Sequence, residues 1–192
     1  SGVFGADVAS IDNLVEITAM RGVFAVEKMG ESVAVIADNP WRAEKAAKAL
    51  KLSAVPHENS NLSSASIEAF QRKSLQGELS DAYTVGDVTS INSNSGETVE
   101  AEFWVPYLAH ATMEPMNASA WMEDNKLHVA AGVQNPLYAR VHAAKIAEMD
   151  VDDVVFHAHS MGGGFGRRVG FSMSGDNPIM WIDEVVTLVK KH

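Results

Sequence analysis

The chain of 192 residues has no cysteine, no apolar run long enough to cross a bilayer, and too few cations for its acids. Without thiols this sequence can hold no disulfide framework, no thiolate zinc site and no cysteine-ligated iron–sulfur cluster, so any electron relay lies elsewhere. No stretch reaches the roughly 18 consecutive apolar residues of a membrane span, and the first residues show neither a basic region nor an apolar signal core. Fifteen Lys and Arg stand against 25 Asp and Glu, a formal charge of −10, which leaves no obvious basic face for nucleic acid. Aromatics are sparse at 7%, yet hydrophobic residues make up 46%, enough for one large domain or two small ones. The chain starts Ser1-Gly2-Val3 with no initiator Met, as a processed or trimmed product would.

Short apolar runs at Val3 to Val8 and Val33 to Ala37 suit buried strands, with a short helix over Asp12 to Arg21 and a further strand opening at Gly22 to Val26. Asn39-Pro40 predicts a helix start, and Ala43, Ala46, Ala47 and Leu50 follow at helical spacing. A second helix is expected over Ala65 to Leu75. The Ser/Asn/Asp/Gly-rich stretch Gly77 to Gly96 reads as a loop or boundary. Val99, Ala101, Phe103 and Val105 alternate with polar or outward residues, which predicts a half-buried strand ending at Pro106.

Beyond it, Ala118 to Met122 and Leu127 to Ala131 flank the turn-like Glu123 to Lys126, the pattern of a hairpin. Asn135-Pro136 launches a helix with an inner stripe of Leu137, Val141, Ala144 and Ala147. A strand follows through Val154, Phe156 and Ala158, and Asn177-Pro178 opens a last helix striped by Ile179, Ile182, Val186 and Val189. Strands and helices mix without a strict alternation, favouring an α+β class in two parts: residues 1–80, a boundary within 77–98, and 98–192.

Met161 to Arg168 reads Met-Gly-Gly-Gly-Phe-Gly-Arg-Arg directly after a strand. Three adjacent glycines strip a turn of side chains, so that backbone N–H groups can approach an anion or oxo group, and Arg167 and Arg168 could pair with phosphate. A dinucleotide fingerprint would need glycine where Arg167 stands, and a phosphate loop would need Gly-Lys-Ser/Thr. Glycine triplets also mark plain tight turns and paired arginines solvated faces, so the residues alone leave both readings open. His110 and Glu114 place a base and an acid on a short segment stiffened by Pro115, as a site wall or as satisfied core groups. Gln134-Asn135 ends a strand where an amide could face a ligand, although capping by Asn135 explains it equally well. His157 and His159 share a strand face, but no third ligand is evident and no metal site is expected. No nucleophile elbow is present.

The octapeptide Met161 to Arg168 resembles the molybdopterin-contacting loop of the xanthine dehydrogenase and aldehyde oxidase family, and its Arg-Arg ending is similar to the branch of isoquinoline 1-oxidoreductase β-subunits and related aldehyde dehydrogenase large subunits. Pro106 to Ser119, containing His110, Glu114 and Asn117, resembles that branch's segment after the first cofactor-domain strand, and Gln134 falls where the family carries its glutamine turn. Met20 to Val23, Val33 to Trp41 and Ala47 to Leu50 resemble an α/β hammerhead module preceding the cofactor domain.

The resemblance implies a hammerhead-like module over 1–80, then the opening of a molybdopterin-binding domain over 98–192. Gly162, Gly163, Gly164, Phe165, Gly166, Arg167, Arg168 and Gln134 would touch the cofactor, and His110 and Glu114 would form the site wall. The complete protein would carry a molybdenum cofactor in its cytosine dinucleotide form and oxidise N-heterocycles or aldehydes with water as oxygen donor. It would pass electrons to a [2Fe-2S] small subunit and onward to a cytochrome c, in the periplasm or otherwise the cytoplasm. Family members are several times longer, and their general-base glutamate lies in a late segment absent here, so no residue of this chain is assigned a catalytic role and a fragment that binds no cofactor by itself is one expectation. A short binding or assembly module of the same ancestry is the alternative. Leu108 and Val169 replace the Gln and Glu of the purine-oxidising branch, which argues against purine substrates.

Overall fold

In the computed structural model, residues 6–80, 82–87, 96–97, 99–169 and 180–192 are described. The chain divides into two compact units, Ser1–Leu108 and Ala109–His192.

In the first unit, β1 (Asp7–Ile11) pairs antiparallel with β4 (Leu52–Val55), and β2 (Val23–Met29) with β3 (Ser32–Ala37). Helix α1 (Leu14–Thr18) buries Ile17. Helix α2 (Pro40–Ala49) starts where Asn39 accepts a hydrogen bond from the Arg42 N–H, as the Asn-Pro pair predicts. Helix α3 (Ser64–Ser74) opens on a reciprocal Ser63/Ser66 capping box.

The second unit is a three-stranded sheet backed by two helices. Strands β5 (Ala118–Glu123) and β6 (Lys126–Ala131) form the expected hairpin, turned by Asp124 and Asn125 at φ 50° and 61°, the paired left-handed geometry of a tight hairpin turn. Helix α4 (Pro136–Ala147) then returns the chain so that β7 (Val154–Ala158) lies parallel to β6. Helix α5 (Met180–Lys191) packs against α4 and β5. Leu127, Val129 and Ala131 of β6 meet Ala139, Ala143 and Ala144 of α4 and Ile182 and Val186 of α5 in one cluster.

The structure differs from the sequence reading in four places. Val99 to Val105 forms no strand: Val99, Phe103 and Val105 are at least 80% exposed, because no strand among the described residues offers a ladder, and the segment is tied to α3 instead through Trp104 to Gln71 (3.1 Å) and the Arg72–Glu102 ion pair. Strand β4 carries no alternation, since all four of its side chains are exposed; its pairing with β1 makes it a strand. The first strand runs over Asp7–Ile11 rather than Val3 to Val8, whose first residues lie outside the described ones. The inner stripe of α4 is alanine, with Leu137 77% and Val141 52% exposed; small side chains let the helix approach the sheet closely. Asn177, Pro178 and Ile179 lie outside the described residues, while the rest of the α5 stripe packs as expected.

Candidate functional site

Strand β7 ends at Ala158, and the chain turns through Met161 into the glycine loop beside the end of β6. Four glycines are needed there for two different reasons. At Gly162 a Cβ would sit 2.7 Å from the Glu114 Cβ, and at Gly164 it would sit 2.7 Å from the Gln134 amide. Gly163 and Gly166 have φ of +105° and +82°, where a side chain is strained whatever the space. Phe165 also adopts a left-handed φ of 50° and leaves its ring 67% exposed.

Glu114 and Gln134 hold the two ends of this loop. Glu114 Oε2 accepts the Gly162 N–H at 2.6 Å, and Oε1 accepts from the Asn117 amide at 2.9 Å. Gln134 Oε1 accepts from the N–H of Gly166 (3.0 Å) and of Arg168 (3.3 Å), while its own N–H donates to the Arg168 carbonyl (2.9 Å). The Gly162 N–H foremost, then the Asn117 amide, hold the Glu114 carboxyl below the usual carboxylate range; the Arg168 charge adds to this, and partial burial opposes it.

Within the loop, Arg167 N–H donates to Gly164 O and Val169 N–H to Gly166 O. The N–H groups of Gly163, Gly164 and Phe165 have no acceptor among the described residues. Three successive unspent amides are a ready donor set for an anion or an oxo group.

The two arginines part company. Arg167 is exposed with no side-chain partner among the described residues. Arg168 is 0% exposed: its Nη2 donates to the carbonyls of Glu114 (2.7 Å) and Pro115 (3.3 Å), and its Nη1 donates to Gly132 O (3.3 Å) and lies 3.2 Å from Glu114 Oε2. Of the expected wall residues, Glu114 is joined to the loop, whereas His110 is exposed and makes no hydrogen bond or ion pair among the described residues. Asn135 caps α4 by accepting the Tyr138 N–H at 3.1 Å. His157 Nε2 faces His128 Nδ1 at 3.0 Å in a stack with Trp121, and no group of three His, Asp or Glu among the described residues is placed to hold a metal directly. Sequence reasoning missed Gly132, where a Cβ would meet the Met161 Cβ at 2.9 Å and the Arg168 Nη1 at 3.1 Å. A lone glycine at the end of an apolar strand was the available signal.

A family model described as the molybdopterin cofactor-binding domain matches residues 71–182. The chain belongs to this family. It is 27% identical over 139 residues to a membrane-bound aldehyde dehydrogenase [pyrroloquinoline-quinone] of Gluconacetobacter polyoxogenes, covering 71% of this chain and 18% of that protein. It is 26% identical over 179 residues to a nicotinate dehydrogenase chain of Pseudomonas putida, covering 92% of this chain and 15% of that one. The chain therefore spans less than a fifth of the length of the curated relatives it matches. Two solved structures share the fold: quinoline 2-oxidoreductase of Pseudomonas putida 86, with a TM-score of 0.60, 19% identity and coverage of 85% of this chain and 26% of that one, and the Cu,Mo-CO dehydrogenase, at 0.58, 16%, 96% and 29%. No helix among the described residues is long and apolar enough to cross a membrane.

Proposed function

We propose that the glycine loop is one wall of the molybdenum-cofactor site in the large subunit of an oxidoreductase acting on aldehydes or N-heterocycles. One observation carries the reading: among the described residues the amides of Gly163, Gly164 and Phe165 are unspent, while those of Gly162, Gly166, Arg167, Arg168 and Val169 are all engaged. The donor set fits the group. Successive N–H groups suit oxo and pterin oxygens, and at Gly163, with φ of +105° and the Phe165 ring 2.8 Å from where a Cβ would stand, only glycine fits without strain. The exposed Arg167 guanidinium suits a phosphate of the cofactor, in the cytosine dinucleotide form that we assign to it.

When bound, such a cofactor supplies a two-electron centre that inserts water oxygen at a carbon. The chain's own residues orient and neutralise. Glu114 is a poor candidate for general base, because both its oxygens accept hydrogen bonds and its carboxyl is held in the ionised form. The first unit reads as the hammerhead-like module preceding the site. A [2Fe-2S] subunit and a cytochrome c would take the electrons, and the periplasm is the compartment we assign. The quinone in the name of the aldehyde dehydrogenase relative is a different cofactor; the family match and the loop's donor set favour molybdopterin for this chain.

The test uses the protein expressed from its complete reading frame, assayed for molybdenum by mass spectrometry and for dye reduction with aldehydes and quinoline-type heterocycles. Stoichiometric molybdenum that is lost in Gly163→Val, with turnover on one of the two substrate classes, is the expected result. A protein that turns over without molybdenum overturns the assignment.

A further inference from the structure

Arg168 is the largest fully buried side chain among the described residues, and it lies next to an exposed arginine in a loop rich in glycine. Burying a guanidinium is costly unless nearly every donor finds an acceptor, so its setting needs a reason. That setting closes a ring. The loop's first amide, Gly162 N–H, is bonded to the Glu114 carboxylate; the loop's last side chain, Arg168, folds back beneath it and reaches the Glu114 carboxylate and the carbonyls of Glu114 and Pro115. Both ends of the loop thus converge on residue 114, with Gln134 bracing the far side through the amides of Gly166 and Arg168.

We infer that Glu114 and Arg168 form a latch that fixes the loop bearing the Gly163, Gly164 and Phe165 amides, so that they are positioning residues for the cofactor and Arg167 alone of the arginine pair contacts it. The inference rests on the cradle reading above. Glycine is the residue with the most conformational freedom to lose on ordering, and four of the five residues from Gly162 to Gly166 are glycine, so this loop cannot hold a donor array by its own propensity. Its internal bonds, Arg167 N–H to Gly164 O and Val169 N–H to Gly166 O, tighten only its second half. The first half, where the free amides lie, is fixed by the Gly162 contact to Glu114 and by the close approach of Gly164 to Gln134.

A planar fork is what the latch requires. Nη2 spans two carbonyls while Nη1 serves a third carbonyl and the carboxylate, a set that a lysine ammonium on a single stem does not reproduce. Gly132 and Gly162 are the matching relief: side chains there would strike Arg168 or Met161, and Glu114.

Hydrogen–deuterium exchange of the cofactor-free, full-length protein tests this, followed residue by residue over 160–169 and compared with β6 and α4. Arg168→Lys and Glu114→Gln are each expected to speed exchange in the loop by about tenfold while leaving β6 and α4 unchanged, as loss of one charge-assisted anchor from a locally opening segment implies. Arg167→Ala is expected to leave loop exchange unchanged. On dialysis of the loaded protein, all three variants lose molybdenum faster than the wild type. Unchanged loop exchange in Arg168→Lys and Glu114→Gln overturns the latch, as does acceleration spread equally over β6 and α4, which marks a plain core strut. If the latch variants loosen the loop as stated but the wild-type protein never retains molybdenum, the latch stands and the cradle reading fails. If molybdenum is retained and the loop is indifferent to both variants, the reverse holds.

Discussion

The two units are stabilised by different means. Among the described residues, the first keeps four apolar side chains buried, Ala6, Val8, Ile17 and Ala46, while the second keeps eleven in one continuous cluster between the sheet and helices α4 and α5. The first unit relies on polar cross-links instead. Asp12 accepts from the hydroxyls of Ser10 and Ser53 across the β1–β4 pair, Asn13 bridges the Ala49 carbonyl and the Lys51 N–H, and Arg72 pairs with Glu68 and Glu102. Its large apolar side chains, Trp41 at 73% and Phe70 at 70%, stay in solvent. The difference teaches where the precise geometry can be kept: the glycine loop is mounted on the unit whose core is apolar and closely packed, at the ends of β6 and β7, where a donor array can be held to a fraction of an ångström.

The comparison breaks most readily at Ile182. Truncation to Ala removes a fully buried side chain from the α5 face, and about 3 kcal/mol of stability should be lost from the second unit, read by denaturant unfolding followed at Trp121 and Trp181. Next in size is the α4 cap: Asn135→Ala leaves the Tyr138 N–H without its acceptor and should cost about 1 kcal/mol, seen as a shift of the same transition. Phe70→Ala in the first unit, on a ring mostly in water, should change stability by less than about 0.5 kcal/mol. If Phe70→Ala proves as damaging as Ile182→Ala, the contrast between the units is wrong.

Acid sharpens the same contrast. Asp12 is held below the usual carboxylate range by the Ser10 and then the Ser53 hydroxyl, and Glu114 chiefly by the Gly162 N–H. A lowered folded-state value means that each contact stabilises the protein above the ordinary carboxylate range, and that this stabilisation is lost as pH falls below that range and through the lowered value. Exchange at the β1–β4 pair and at Gly162 should therefore rise as pH falls below the ordinary carboxylate range, while the Leu127–Val129–Ile182 cluster, whose buried members are all aliphatic, keeps its protection. Asp12→Asn should remove that rise at the β1–β4 pair.

Elements with a strong local signal were legible in the residues. The Asn-Pro pairs at 39 and 135, the Asp-Asn hairpin turn and the glycine loop all specify backbone through short-range chemistry, and each stands where the sequence places it. What failed depended on partners distant in sequence. Val99 to Val105 has the period of a strand but no partner strand among the described residues, and Leu52–Val55 has no period and is a strand because β1 lies beside it. In the α4 stripe Ala144 and Ala147 are buried as expected, but Ala139 and Ala143 stand where Leu137 and Val141 were expected, because alanine carries little hydrophobic signal. At the site, composition assigned Arg167 and Arg168 the same part; only the fold shows one in solvent and the other with its guanidinium spent on Glu114, Pro115 and Gly132.

The central claim is that the unspent amides of the glycine loop face the cofactor. The structure of the full-length protein loaded with its cofactor tests it directly, through the distances from the Gly163, Gly164 and Phe165 nitrogens to cofactor oxygens. The account predicts at least one of them within about 3.3 Å, with the Arg168 guanidinium still turned inward on Glu114. A cofactor whose oxygens are met by Arg168, with the three amides facing away, would contradict it.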